Sequence, residues 1–122
     1  MHTYMTFFRY SKETWRAMVQ KPQDRSEAAR GVIEAAGGHM DAFYWMLGEY
    51  DGLAIFRVPG PTDAAAVSAG ISASGRIAHM QTTQLLTSEE ATHALQLAQV
   101  VSSADEPPGG LKDWRAGYDE LG

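Results

Sequence analysis

The stretch from Met40 to Val58 constrains the fold of this chain more than any other. It reads as an apolar run, a four-residue break Gly48-Glu49-Tyr50-Asp51, and a second apolar run. Two strand-like segments joined by so short a connection form a β-hairpin. Asp51-Gly52 supplies residues that tolerate positive φ. The two strands are expected over about 39–47 and 52–58.

The segments on either side fit around this hairpin. His2 to Tyr10 is rich in aromatic and β-branched residues without a breaker and predicts a first strand. Its two sides, His2, Tyr4, Thr6, Phe8 and Tyr10 against Thr3, Met5, Phe7 and Arg9, are both mostly apolar, so it belongs in the middle of a sheet. Ser11 to Ala36 is helical in composition, but Pro22 lacks an amide donor and disfavours a helical Lys21, so two helical pieces are expected. The second offers Ala29, Val32/Ile33 and Ala36 to the core and ends at Gly37-Gly38. After the hairpin, Pro59-Gly60-Pro61 is a stop, with Thr62 or Asp63 as the expected cap of an Ala-rich helix that Gly75 closes. Arg76 to Leu86 reads as a more polar fourth strand, suited to an edge. Thr87-Ser88-Glu89-Glu90 is a capping box opening a helix with the stripe Ala91, Ala94/Leu95, Ala98 and Val101.

Strand, helix, strand, strand, helix, strand with right-handed crossovers gives an α+β class fold. It is a ferredoxin-like βαββαβ sandwich, with a four-stranded antiparallel sheet in the order 4-1-3-2 and helices on one face. The other face keeps aromatic and methyl groups, and its simplest cover is a second copy of the chain. We divide the chain into a body, 1–101, and an extension, 102–122. Within that extension Asp105-Glu-Pro-Pro-Gly-Gly is a linker by composition. Leu111, Trp114, Tyr118 and Leu121 then form one face of a short amphipathic helix that needs a partner.

Composition narrows the function. The 122 residues fit one domain. There is no cysteine, so disulfides and thiolate metal sites are out, and a cytoplasmic location is allowed. No apolar run approaches the roughly 20 residues that cross a bilayer. A net charge of −5 with ten scattered Lys and Arg argues against nucleic acid. No Gly-rich loop opens a helix as a phosphate cradle, and no serine sits in a nucleophile-elbow context.

The motif Gly48-Glu49-Tyr50-Asp51, preceded by Phe43-Tyr44, together with Thr3-Tyr4, Arg9-Tyr10 and Gly37-Gly38, resembles the GYD domain family over about residues 2–95. The resemblance implies a ferredoxin-like, dimeric α+β barrel. Gly48, Tyr50 and Asp51 map onto the family signature, which brings no catalytic residues and no cofactor with it.

Three constellations carry candidate chemistry. Glu49, Tyr50 and Asp51 are expected at the sheet end that holds His2, where a carboxylate beside an imidazole can do acid/base work. The alternative is that Gly48 and Asp51 shape the turn while Tyr50 packs. Arg9, Tyr10, His39 and His79 are expected at the other end. His39 and His79 lie on opposite edge strands and meet only across a dimer, with Asp41 or Glu49 nearby. No local ligand spacing supports a metal there, and none is expected. Tyr4, Thr6, Phe8, Tyr10 and Tyr44 are expected to line a cavity on the open face, with Trp45 on the other side of its strand; such a lining suits a flat apolar molecule. His2, Tyr4, Tyr44 and His79 are the candidates for chemistry. Arg57 is expected to pair with an acid. The readings that follow are a homo-oligomeric binder of a small apolar or aromatic molecule or a protein, a cofactor-independent monooxygenase- or isomerase-like enzyme, and an adaptor that docks through its C-terminal helix.

Overall fold

The computed structural model describes residues 1–106, which fall into two compact units divided after Leu85. The expected tail helix bearing Leu111, Trp114, Tyr118 and Leu121 lies outside the described residues.

In the first unit the elements run β1 (His2–Tyr10), α1 (Lys12–Gln20), α2 (Ser26–Ala35), β2 (His39–Trp45), β3 (Gly52–Val58), α3 (Pro61–Ala73) and β4 (Ile77–Leu85). The sheet order is β2-β3-β1-β4 with every pairing antiparallel, the ferredoxin-like arrangement expected from the sequence. β1 and β3 occupy the centre and the more polar β4 an edge.

Alternation along β1 and β3 sets the layers. Tyr4, Thr6, Phe8 and Tyr10 are buried, as are Ala54, Phe56 and Val58, while their odd-numbered neighbours Met5, Phe7, Leu53 and Ile55 are half-buried. The buried set packs under α2 and α3 through Ile33, Ala64 and Val67, with Phe56 1% and Val58 0% exposed. Each such side chain contributes about 1.5–3 kcal/mol relative to an exposed one. A second cluster of Phe8, Tyr10 and Met18 gathers Trp15 and Phe43 around it, which seats α1. The three helices of the first unit pack on this buried set, so within this unit the face of Met5, Phe7, Leu53 and Ile55 carries no helix.

Three local expectations change. Positive φ in the hairpin falls on Gly48, at +136°, and not on Asp51-Gly52. Gly52 is required for space: a Cβ there would lie 2.6 Å from Phe8 Cζ and 3.0 Å from the Tyr44 carbonyl oxygen. The cap of α3 is Gly60, with Pro61 as the first helical residue, so Thr62 and Asp63 lie inside the first turn. Pro61 fixes helical φ and has no amide to satisfy, so the helix starts before a side-chain cap is reached.

The second unit holds α4 (Ser88–Ala104), opened by the expected capping box: Glu90 N donates to Thr87 Oγ1 at 3.1 Å, and Thr87 N donates to Glu90 Oε1 at 3.0 Å. None of its residues is buried, and Leu95 and Val101 of its apolar stripe are exposed.

Candidate functional site

Antiparallel pairing decides which residues meet at each end of the sheet. Phe8 is opposite Gly52 and Arg9 opposite His79, so the hairpin turn sits at the end of β1, beside Arg9, Tyr10 and His79. His2 is opposite Val58, at the far end, together with His39, which is opposite Arg57. The expected approach of Glu49, Tyr50 and Asp51 to His2 is therefore corrected, as is the grouping of His39 with His79. A strand that pairs antiparallel to β1 must begin where β1 ends, and β2, returning from β3, must begin where β1 begins.

The motif residues form a tight cluster at that end. Asp51 Oδ2 accepts from the Tyr10 backbone N–H at 2.9 Å and from Trp15 Nε1 at 3.2 Å, while Asp51 N donates to the Phe8 carbonyl at 2.8 Å. One side chain thus ties the turn to β1 and to α1. Tyr50 lies on the open-face side: its ring is 5.5 Å from Phe7 and 6.0 Å from His79, its hydroxyl donates to Gln81 at 3.1 Å, and the Arg9 guanidinium stands 5.2 Å over it. Arg9 also pairs with Glu49 at 3.2 Å. At the other end Arg57 pairs with Asp41 through two bonds of 2.9 and 3.0 Å, as expected.

The aromatic set divides between faces. Tyr4, Thr6, Phe8 and Tyr10 lie under the helices, and Tyr44 is opposite Leu53 on the open side, 62% exposed. Trp45, opposite Gly52, joins Met40 and Phe43 of β2 on the helix side, 6.0 Å from Tyr10 and 5.5 Å from Trp15. A register shift between Met40 and Ala42 inserts one residue into β2, which helps make its inward side chains unreadable from alternation.

On the helix side lies a half-open cavity of about 130 Å³ between sheet, α2 and α3. Phe8, Tyr10, Phe43 and Phe56 line it, and Ala28, Ala29 and Gly70 bring no more than a methyl group to its wall. A Cβ added at Gly70 would meet no heavy atom within 4 Å. On its β4 side, Thr6 Oγ1 is hydrogen-bonded to Thr82 Oγ1 at 2.9 Å and Thr82 Oγ1 to Ser68 Oγ at 3.0 Å, so those hydroxyls satisfy one another. The Tyr10 hydroxyl, by contrast, is buried without a hydrogen-bond partner among the described residues. Burial pushes its pKa above the ordinary tyrosine value; the Arg25 guanidinium opposes this, and the Asp51 and Asp24 carboxylates add to it. Held protonated, the phenol can donate a hydrogen bond but is not a base near neutral pH.

Arg25 and Arg76 also line the cavity, a feature the sequence reading missed. They are 51 positions apart and follow no motif; the usable signal was topological, since the start of α2 and the start of β4 come to the sheet end where β1 finishes. The Arg76 carbonyl accepts from Ser11 N at 2.9 Å and from Thr14 Oγ1 at 2.8 Å, which anchors it to the first turn of α1.

A small α+β protein is thus defined by a structured hairpin turn and a separate apolar cavity. The family model for the GYD domain matches residues 4–95, and the chain belongs to that family. Among curated proteins none matches it in sequence. Among solved structures it is similar to 30S ribosomal protein S6 of Thermotoga maritima, at 18% identity and a TM-score of 0.52, covering 80% of this chain and 97% of that one. It is also similar to an uncharacterized NIPSNAP domain protein of Burkholderia xenovorans, at 11% identity and a TM-score of 0.46, covering 72% of this chain and 95% of that one. The ribosomal likeness is one of fold.

Proposed function

We propose that the protein is a cytoplasmic homo-oligomer that binds a small apolar or aromatic molecule in the cavity between its sheet and helices, with residues 1–101 as the binding and assembling body. The observation that carries this reading is a cavity walled by aromatic rings in which a phenol hydroxyl has no partner. A filled interior would leave no such space, because protein cores pack to crystal density. Binding is favoured over acid–base catalysis because His2 and His79 do not line this cavity and its one phenol stays protonated. Tyr4, Thr6 and Tyr44 are not equivalent in this scheme: Thr6 lines the cavity, Tyr4 packs beside it on Phe56 at 5.8 Å, and Tyr44 belongs to the face that meets a second copy.

The test is a titration of ¹⁵N-labelled protein with toluene and indole, followed by amide shifts. The expected result is saturable shifts at Phe8, Tyr10, Ile33 and Ile71; unmoved amides at solubility-limited ligand reject the cavity as a site. Light scattering addresses the assembly. The protein is expected to have at least a dimer mass, and Ile55→Asp on the open face to reduce it to a monomer. A wild-type monomer at micromolar concentration overturns that part.

A further inference from the structure

We propose that the ligand is a one-ring monocarboxylate, its ring in the apolar cavity and its carboxylate held at the mouth by Arg25 and Arg76; this rests on the cavity being a binding site. Beside the cavity lies a second, more polar hollow of about 320 Å³. Arg25, Ser74 and Arg76 line both, so they stand where the apolar space opens into the polar one. A molecule with an apolar body and a polar head matches that junction.

The head must accept hydrogen bonds. A guanidinium has donors only, and neither Arg25 nor Arg76 forms an ion pair among the described residues, whereas Arg9, Arg30 and Arg57 each do. Arg25 Nε is buried with no partner, as is the Tyr10 hydroxyl, 6% exposed as a residue. Buried polar groups in folded proteins are normally paired, so two unmatched donors lining one cavity point to an acceptor that the chain does not itself contain. Ser74 is not in the same position: its hydroxyl donates to the Ile71 carbonyl at 2.6 Å and accepts from Arg76 N at 3.2 Å.

Size and charge narrow the class. A cavity of about 150 Å³ accepts a benzene ring, so 130 Å³ is enough space for about one ring. Glu13 lines the outer hollow, and Asp24, next to Arg25, is occupied by the Ser26 N–H at 2.9 Å. Those carboxylates partly offset the two arginines, which fits a single negative charge better than the double charge of a phosphate ester. Paired guanidinium groups and a carboxylate form charge-assisted bonds roughly twice as strong as neutral ones.

Isothermal titration of the full chain with 3-phenylpropionate, 3-phenylpropan-1-ol and phenyl phosphate tests this. The acid is expected to bind about tenfold or more tightly than the alcohol, with that preference lost in Arg25→Gln/Arg76→Gln. Arg76 is exposed and Arg25 half-buried, and an unchanged melting temperature verifies the fold. Equal affinity for acid and alcohol overturns the carboxylate head but leaves the cavity as a site. Tighter binding of phenyl phosphate overturns the monoanion. Failure of all three probes, with toluene and indole also silent, overturns the cavity reading itself.

Discussion

Tyr10 has two sides, and the molecule treats them in opposite ways. On its backbone side, Asp51 takes the amide hydrogen and the Trp15 indole together, and the turn that carries Asp51 is fastened to Phe8. On its ring side, the hydroxyl and the Arg25 Nε face a cavity without partners. The two regions share one end of the sheet and one residue, yet the first has the polar accounting of a structural joint and the second that of an incomplete site. The difference teaches that the residues by which the family is recognised hold the sheet end together, while the groups available to a ligand lie on other elements and carry no local motif.

Breaking the joint gives the largest effect. Asp51→Ala removes the acceptor of two donors that are part-buried. Leaving such donors unmatched costs about 2–4 kcal/mol in all. Urea unfolding is expected to show the unfolding free energy falling by that amount, with Asp51→Asn, which keeps one acceptor oxygen, falling less. If Asp51→Ala unfolds like the wild type, the turn is not the joint described, and the contrast with the ring side disappears.

The cavity wall responds in the opposite direction. Gly70 sits within α3, where glycine is less favourable than alanine by about 0.5–1 kcal/mol, and an added methyl group meets nothing within 4 Å. Gly70→Ala is therefore expected to raise stability by about that much in thermal unfolding, and a bulkier Gly70→Leu to lower affinity for any ring that enters the cavity. A destabilised Gly70→Ala would mean that the wall is already close-packed.

Much of this fold is legible in the chain, and the reasons are local. The short break at Gly48 to Asp51 forces β2 and β3 together, Pro22 divides the first helical segment, and Thr87 with Glu90 marks the start of α4 without any tertiary information. The site is less legible because its determinants are not local. β1 is apolar on both sides, so alternation alone does not say which side the helices cover, and the inserted residue near Asp41 displaces the inward positions of β2. Gly52 looks like a turn residue, yet it is small because a ring from β1 lies against it. Arg25 and Arg76 each stand at the edge of a helix or strand, where an isolated arginine reads as a solvated charge; only the meeting of the start of α2 and the start of β4 at one sheet end makes them a pair.

Tyr10→Phe probes both regions through one atom and gives the smallest change at neutral pH. Its hydroxyl has no partner among the described residues, so removing it is expected to leave stability unchanged or to raise it by up to about 1 kcal/mol, while weakening a ligand that accepts from it. The pH dependence separates this from simple packing. Burial raises the Tyr10 pKa, with Arg25 opposing and Asp51 and Asp24 adding to the shift. The unfolded phenol begins to lose its proton near pH 10, while the folded one retains it. The unfolded state then binds fewer protons than the native state, and stability falls as pH rises. Relative to Tyr10→Phe, the wild type is expected to hold a constant stability difference below about pH 10 and to lose ground above it, up to the raised native pKa. Parallel urea curves for the two proteins from pH 7 to 11 measure this; a difference that stays flat throughout shows that the Tyr10 hydroxyl reaches solvent, and the unmatched side of Tyr10 would then be no different from the matched one.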